Sequence, residues 1–533
     1  MNYQKHFNTR QTSQKEPIPG TNQVPNSEGG YVWEVDDWQR LERFLILGTE
    51  GGTYYINEQN LTVENAEASR RCIQEDGVRV VRTVVEISQS GRAPRNDAAL
   101  FVLAMCAGLG DRITRREALG DLHRVARIGT HLFNFLNYAQ AFRGWGRSLR
   151  RAVGDWYVMK QTDDLVYQVI KYRQRNGWTH RDALRKAHPV PADSSQENLF
   201  NWITQGVFAE SPNDQFWGFI LANGDEITNP AANMKPEFAI AGYIRKYGLT
   251  REMVPTEFLN SLEVWEALLE KMPMTAMIRN LGKMSSVGLL VQGNFEAIQH
   301  VVGMLGNGEA IQNSRVHPIQ ILSALSIYQQ GRGLRGSLEW VPVPQVIDAL
   351  DKAFYMAFEN VEPTNKRIML ALDVSSSMTW DAVVANLTSR ELSATMALMT
   401  AHVEPNYMFM GFSDELVPLN ISAGQRLDDV IKTIENLRFG GTDCSLPVQY
   451  ALDNNIVVDT FVIYTDNQTW AGDIHVSQLL QKYRREINPE AKLVVVAMTS
   501  DGFSIADPND AGMLDVVGFD TATPQVIANF SRD

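Results

Sequence analysis

From Val361 to the C-terminus, five short apolar runs, RIMLALDVS, NYMFMGFS, DTFVIYTD, AKLVVVAM and DVVGF, alternate with amphipathic segments. Those segments, AVVANLTSRELSATMALMTAHV, RLDDVIKTIENL, SLPVQYALDNN, SQLLQKYRREI and PQVIANF, carry apolar residues at helical spacing. A run that is apolar at nearly every position has to be covered on both faces, and a helix between successive strands supplies that cover. The pattern predicts an α/β doubly wound parallel sheet over residues 361–533, with any ligand site at the carboxyl ends of its strands.

Hydroxyls and carboxylates collect at those ends. The first run closes in Asp373-Val374-Ser375-Ser376-Ser377, the third in Thr465-Asp466, and the loop Gly440-Gly441-Thr442-Asp443 lies between. Asp373, Ser375, Ser377, Thr442 and Asp466 form a candidate metal site. Hard oxygen donors suit magnesium, manganese or calcium rather than zinc, and a set with few charged ligands suits a small ion that keeps its waters, so Mg2+ is expected. The bland alternative is that the serines and Asp466 cap helices. The DxSxS, Thr, Asp pattern resembles the metal-ion-dependent adhesion site of von Willebrand factor A-type domains. That resemblance implies an open coordination position that accepts a carboxylate from a partner.

The preceding residues read differently. LERFLILG, ALFVLAMCAG, EALGDLHRVARI, DLVYQVIKYR, EVWEALLEKM, IQILSALSIYQQ and VIDALDKAFYMAF repeat apolar residues every three or four positions, with short linkers such as GDRITR, NGWTH and GNGEA between them. Stacked helix pairs of HEAT type, an all-α helical-repeat domain over residues 29–360, are expected. An irregular helical bundle fits the same pattern. Residues 1–28, rich in Gln, Asn, Pro and Gly, cannot bury enough apolar surface to order by themselves and read as an extended arm.

Charge is divided unevenly. The chain's net charge is −13, but residues 361–533 hold 11 Lys+Arg against 23 Asp+Glu, whereas Arg112 to Lys186 holds 16 against 6. A basic stretch of that density suits a phosphate backbone. Lys171, Arg175, Arg181, Arg185 and Lys186 fall at roughly helical spacing, with His188 just beyond. A second set, Arg124, Arg127, Arg147, Arg150 and Arg151, is interleaved with Phe133, Phe135 and Trp145, aromatics that stack on bases or, more simply, fill the core. Arg279 and Lys283 complete the candidates, with a helix C-terminal charge as their bland equivalent.

RLERFLILGTEGGTYY, RIGTHLFNFL, GWGRSLRRAVGDWY, KYRQRNGWTHRDALRKAHP, MTAMIRNLGKM and VHPIQILSAL, in this order and followed by the A-type domain, resemble the Ro autoantigen family. The resemblance covers nearly the whole chain. It implies a ring of helical repeats, the TROVE domain, that binds small non-coding Y RNA on its outer surface and misfolded RNA ends in its hole. It implies RNA contacts at Lys171, Arg175 and His188, a role in RNA quality control, and in bacteria an exoribonuclease partner, polynucleotide phosphorylase.

No catalytic set emerges. GRGLRG (331–336) follows a helix rather than a strand, NLGKM lacks the rest of a phosphate-binding loop, and neither HExxH nor GxSxG occurs. The three cysteines, Cys72, Cys106 and Cys444, are far apart, the opening residues lack a secretory apolar core, and no apolar stretch reaches about 18 residues. A monomeric, non-enzymatic cytoplasmic protein is expected. The alternative from a different class is an adaptor that grips a partner protein through the metal.

Overall fold

The computed structural model describes residues 11–47, 66–93, 95–224, 235–333, 337–357, 362–379, 382–384, 387–435, 437, 440–498, 502–518, 520 and 522–532. They form two compact units. One spans 70–91 and 95–357; the other joins 358–533 to residues up to 69 and to 92–94. The division thus runs through the N-terminal region: strands β1 (Val24–Pro25) and β2 (Tyr31–Glu34) and the helix Asp37–Leu47 belong with the α/β unit, not with the helices that follow them.

The first unit is built of helices packed in neighbouring pairs. Asp97–Leu109 lies against Gly129–Phe142, Pro236–Tyr247 against Leu262–Leu269, and Pro318–Gln329 against Pro344–Met356. Asp97–Leu109 is buried from Ala98 to Ala107, as its uninterrupted apolar sequence requires. The expected helix through EALGDLHRVARI breaks at Asp121, which ends Arg112–Gly120 and begins the short turn Leu122–Val125. Late in the unit, Arg315 donates to the carbonyl of Gln89 at 3.3 Å, so residues 226 positions apart meet and the helical run returns to its first helix.

One strand pair interrupts the helices. β3 (Gln174–Arg175) and β4 (Trp178–Thr179) form a hairpin whose two-residue turn, Asn176-Gly177, has φ of 49° and 77°. Asn-Gly is the pair that tolerates positive φ at both turn positions, and it fits the twist of the strands. The hairpin corrects the expected continuous helical spacing: Lys171 ends the helix Thr162–Lys171, Arg175 lies on β3, and Arg181, Arg185 and Lys186 lie on the next helix, His180–Ala187.

In the second unit the five expected strands are present: β5 (Ile368–Asp373), β8 (Tyr407–Phe412), β10 (Thr460–Thr465), β11 (Lys492–Ala497) and β13 (Met513–Val517). Four short strands between 361 and 533 were not expected: β6 (Ala382–Val384), β7 (Leu387–Thr388), β9 (Leu416–Leu419) and β12 (Phe503–Ser504). The sheet order is β13-β11-β10-β5-β8-β9, all parallel except β9, which runs antiparallel to β8 at the edge. Pro418, which has no N–H to donate, sits in β9, a place an edge strand allows because no further strand needs a donor there. Ala382–Val384 and Leu387–Thr388, expected as part of a helix, are strands. The helix begins only at Ser389, where Thr388 and Glu391 close a capping box. Helices cover the sheet, and Leu493, Val495, Phe461, Ile463 and Met369 are fully buried, each contributing about 1.5–3 kcal/mol of apolar burial.

The N-terminal segment orders by docking on this unit. β2 pairs with β1 and with β12 (Phe503–Ser504), and Val32 joins the α/β core. Arg43, from the helix behind, is buried against Asp515 on β13 and donates to the Phe503 carbonyl. Gln14 is 1% exposed and uses its whole amide: Oε1 accepts from Thr469 Oγ1 and the Gly472 N–H, and Nε2 donates to Asp443 and to the Ile474 carbonyl. A segment too polar to fold alone is held by a partner that satisfies its polar groups.

Candidate metal centre and basic surface

At the carboxyl edge of the sheet, neighbouring parallel strands bring Asp373 and Thr465 side by side. Asp373 Oδ2 accepts from Thr465 Oγ1 at 2.6 Å and Oδ1 from the Ser375 N–H at 2.9 Å. Ser375 and Ser377 hydroxyls stand 3.1 Å apart. The loop carrying Thr442 closes on the same place: Cys444 Sγ lies 3.7 Å from Thr465 Oγ1, and the Thr442 carbonyl accepts from the N–H groups of Trp470 and Ala471, just past Asp466. A Cβ at Gly441 would meet the Trp470 ring at 2.7 Å, so this loop needs a glycine for close approach. The fold therefore gathers the three segments, and the helix Ser389–Val403 is capped by Thr388 rather than by the serines.

Asp373 is fully buried, and burial pushes its carboxyl above the usual range despite hydrogen bonds from Ser375 and Thr465 and the nearby Arg390. Arg390, buried at the start of the following helix, donates to the carbonyls of Val374 and Ser375 at 2.9 and 3.1 Å and so fixes the serine turn. Thr465 and Arg390 escaped the sequence reading. Thr465 was signalled by its place beside Asp466 at a strand end; nothing local marks Arg390.

The donors fit a small hard ion. Adjacent ligands on an octahedron with Mg–O bonds of about 2.0–2.1 Å lie about 3 Å apart, and the two serine oxygens stand at 3.1 Å. Among the described residues no cluster of three or more His, Cys, Asp or Glu could hold a metal, so an ion here would rest on hydroxyls and water beside two carboxylates. Cys444 is buried next to the cluster, and burial together with Asp373 pushes its thiol up, away from thiolate chemistry.

The basic stretch lies on the helical unit. Lys171 is half-buried, its Nζ donating to Tyr167 Oη at 2.6 Å; Arg175 is exposed on its hairpin. His188 is exposed at the left-handed end of His180–Ala187, with φ 46°. Arg150 Nε and Trp145 Nε1 donate to the carbonyls of Ala187 and Lys186, fastening the backbone that presents His188. Lys186 reaches over Trp145 and Trp178, which stack at 5.9 Å. Arg181 and Arg185 both donate to the Thr204 carbonyl at a helix C-terminus. Phe133 and Phe135 are core.

Arg127 is half-buried and donates to Ser88 carbonyl and hydroxyl; burial and Arg315 lower its pKa. Arg279 is exposed on the helix Met274–Ser286, whereas Lys283 on the same helix donates to Asn260 Oδ1, its pKa lowered by burial and by Arg251.

Under this surface lies His180, 3% exposed. Its Nε2 faces the Tyr172 carbonyl at 3.1 Å, which can only accept, so Nε2 carries the proton and Nδ1 accepts from Tyr157 Oη at 2.7 Å. The ring pins the end of the helix bearing Lys171 to its neighbours. Burial holds its pKa down at about 4. Between the unfolded value near 6.5 and that folded value, the unfolded chain takes a proton that the folded one refuses. Stability is therefore highest above about pH 6.5 and falls as pH drops toward 4, by up to about 3 kcal/mol. His131, desolvated beside Arg127, is shifted the same way. Urea midpoints should be lower at about pH 5 than at about pH 7, and His180→Gln should narrow the difference. An equal difference in that variant would refute the assignment.

Three comparisons place the chain. Residues 24–247 and 244–329 match the TROVE domain family, and residues 367–531 match the Ro60 vWA domain family. A Deinococcus radiodurans protein named RNA-binding protein RO60 is 40% identical over 515 residues, 96% of this chain and 95% of that protein. A Caenorhabditis elegans protein of the same name is 37% identical over 580 residues, 95% of this chain and 90% of that one. The crystal structure of the D. radiodurans RO (RSR) protein superposes with a TM-score of 0.72 at 39% identity, covering 93% of this chain and 99% of that one.

Proposed function

Because the chain belongs to the Ro60 family, with a TROVE domain followed by a Ro60-type vWA domain, we propose that it is an RNA-binding scaffold rather than an enzyme. Its RNA is a small structured non-coding RNA of the Y type, bound on the basic helical surface, and it assists RNA quality control or decay by also holding misfolded or single-stranded ends. The observation that carries this reading is the density of cations around Arg175 and His188, both exposed on a backbone fastened from beneath by His180 and Arg150. Phosphate contacts from such groups give affinity and register without reading sequence. An exoribonuclease such as polynucleotide phosphorylase would be recruited through the bound RNA.

Protein isolated from its native cells should carry RNA, with absorbance near 260 nm that ribonuclease removes. Its absence would favour the second reading, a cytoplasmic adaptor that grips a partner carboxylate through the metal. The hydroxyl-rich cluster at the sheet edge supports that reading.

In either case Asp373, Ser375, Ser377, Thr442 and Asp466 would hold Mg2+, which when bound would offset the buried carboxylates and offer an open position to an acidic ligand. Calorimetric titration with Mg2+ or Mn2+ should show binding at least about tenfold weaker in Asp373→Asn and several-fold weaker in the milder Ser377→Ala. Wild-type protein that binds neither ion would refute the site.

A further inference from the structure

On the helical unit, a cavity of about 100 Å³ is lined by three arginines, Arg115, Arg143 and Arg147, and by no carboxylate. Its remaining walls include Gly146, Ser148 and apolar side chains. We propose that this cavity is a phosphate-monoester site, a seat for the terminal phosphate of an RNA strand or for a small free phosphate.

Arg115 is half-buried and already committed to protein acceptors: Nε donates to the Ala107 carbonyl at 3.1 Å and Nη2 to that of Gly110 at 2.9 Å, so its guanidinium is fixed at the cavity wall. Arg143 and Arg147 are exposed, and among the described residues no side-chain hydrogen bond or ion pair is formed by either. Arg115 and Arg143 line the same cavity, and burial and the charge of Arg143 lower the pKa of Arg115 against the opposing pull of Asp111. Like charges that converge on one recess are unfavourable until an anion sits among them.

The backbone adds donors. The helix Arg147–Val158 starts at Gly146, which has no side chain to cap it, and Gly146, Arg147, Ser148 and Leu149 all line the cavity. The first N–H groups of a helix lack internal partners and favour an anion. The volume exceeds that of one or two waters and is enough for a phosphate group. A dianionic monoester, with three terminal oxygens, matches the two unengaged guanidinium forks of Arg143 and Arg147 and the fixed charge of Arg115 better than a backbone diester does.

This inference rests on the RNA-binding reading only for the source of the phosphate. Full-length protein is titrated with inorganic phosphate, with a 5′-phosphorylated oligoribonucleotide and with the same strand ending in a 5′-hydroxyl. The phosphorylated strand should bind about tenfold tighter than the hydroxyl strand, the size of one lost charge-assisted contact, and Arg143→Gln should abolish that preference. Inorganic phosphate binding that Arg143→Gln removes, with no preference between strands, would support the site and assign it to small phosphates. No phosphate binding and no end preference, or an equal loss on both strands in the variant, would overturn it. If neither strand binds while inorganic phosphate does, the cavity stands and the RNA reading falls.

Discussion

Lys171→Ala, Arg175→Ala and His188→Gly, combined in one chain, should lower affinity for a structured small RNA by about two to three orders of magnitude at moderate salt. Each phosphate contact, from the Lys171 and Arg175 cations and from the His188 ring, supplies about 1–1.5 kcal/mol, and three such losses amount to about 3–4 kcal/mol. Glycine is the right replacement at His188, because its φ of 46° is costly for alanine and free for glycine. Losing the two permanent charges should also flatten the plot of log affinity against log salt by about 1.4 to 1.8, since each released counterion contributes about 0.7–0.9. The fold should hold, because none of the three side chains belongs to the buried core: Arg175 and His188 are exposed, and half-buried Lys171 gives up one side-chain hydrogen bond to Tyr167, a loss of about 1 kcal/mol. Filter binding across a salt series reads both quantities. Unchanged affinity and slope in a folded triple variant would remove these residues from the RNA surface.

Gly30→Ala is the second large effect. A Cβ there would lie 1.8 Å from the Thr469 carbonyl oxygen, a backbone atom that cannot swing aside. Around it, Asn26 accepts from the Gly30 N–H and donates to Thr469 O at 2.8 Å, so the N-terminal segment and the loop after Asp466 are stitched at this point. To admit a methyl, the two backbones must part and break those bonds. The overpacking and the buried groups left unpaired should together cost about 3 kcal/mol or more. Because the loop is continuous with Asp466, divalent-ion affinity should fall as well. Denaturation followed by the fluorescence of Trp33, which is buried on β2, gives the first readout, and ion titration gives the second. A variant as stable as the parent would show that the N-terminal segment is not seated here.

The legible part of this protein was local. The five apolar runs became β5, β8, β10, β11 and β13 because a strand buried on both faces must be apolar throughout, and that is written in consecutive residues. Asp373, Ser375 and Asp466 were readable because strand ends are readable, and a parallel sheet lines up the ends of its neighbours. The hairpin at Asn176-Gly177 carried its own turn signal, yet the cations around it were read as one helical series, because charges alone do not show where the backbone reverses. β9 went unread because an edge strand needs little apolar pattern and tolerates a proline.

What the chain by itself determined, then, was the kind of each unit: a helical array, a doubly wound sheet, a basic stretch and a cluster of oxygen donors. Only the tertiary structure decided what supports them. Gln14 finds its four partners at Asp443, Thr469, Gly472 and Ile474, Arg390 steadies the serine turn, and His180 stays neutral between Tyr157 and Tyr172. Periodicity is a property of neighbours in sequence, whereas the hydrogen bonding of a buried amide or imidazole depends on groups up to hundreds of residues away. No local pattern encodes it.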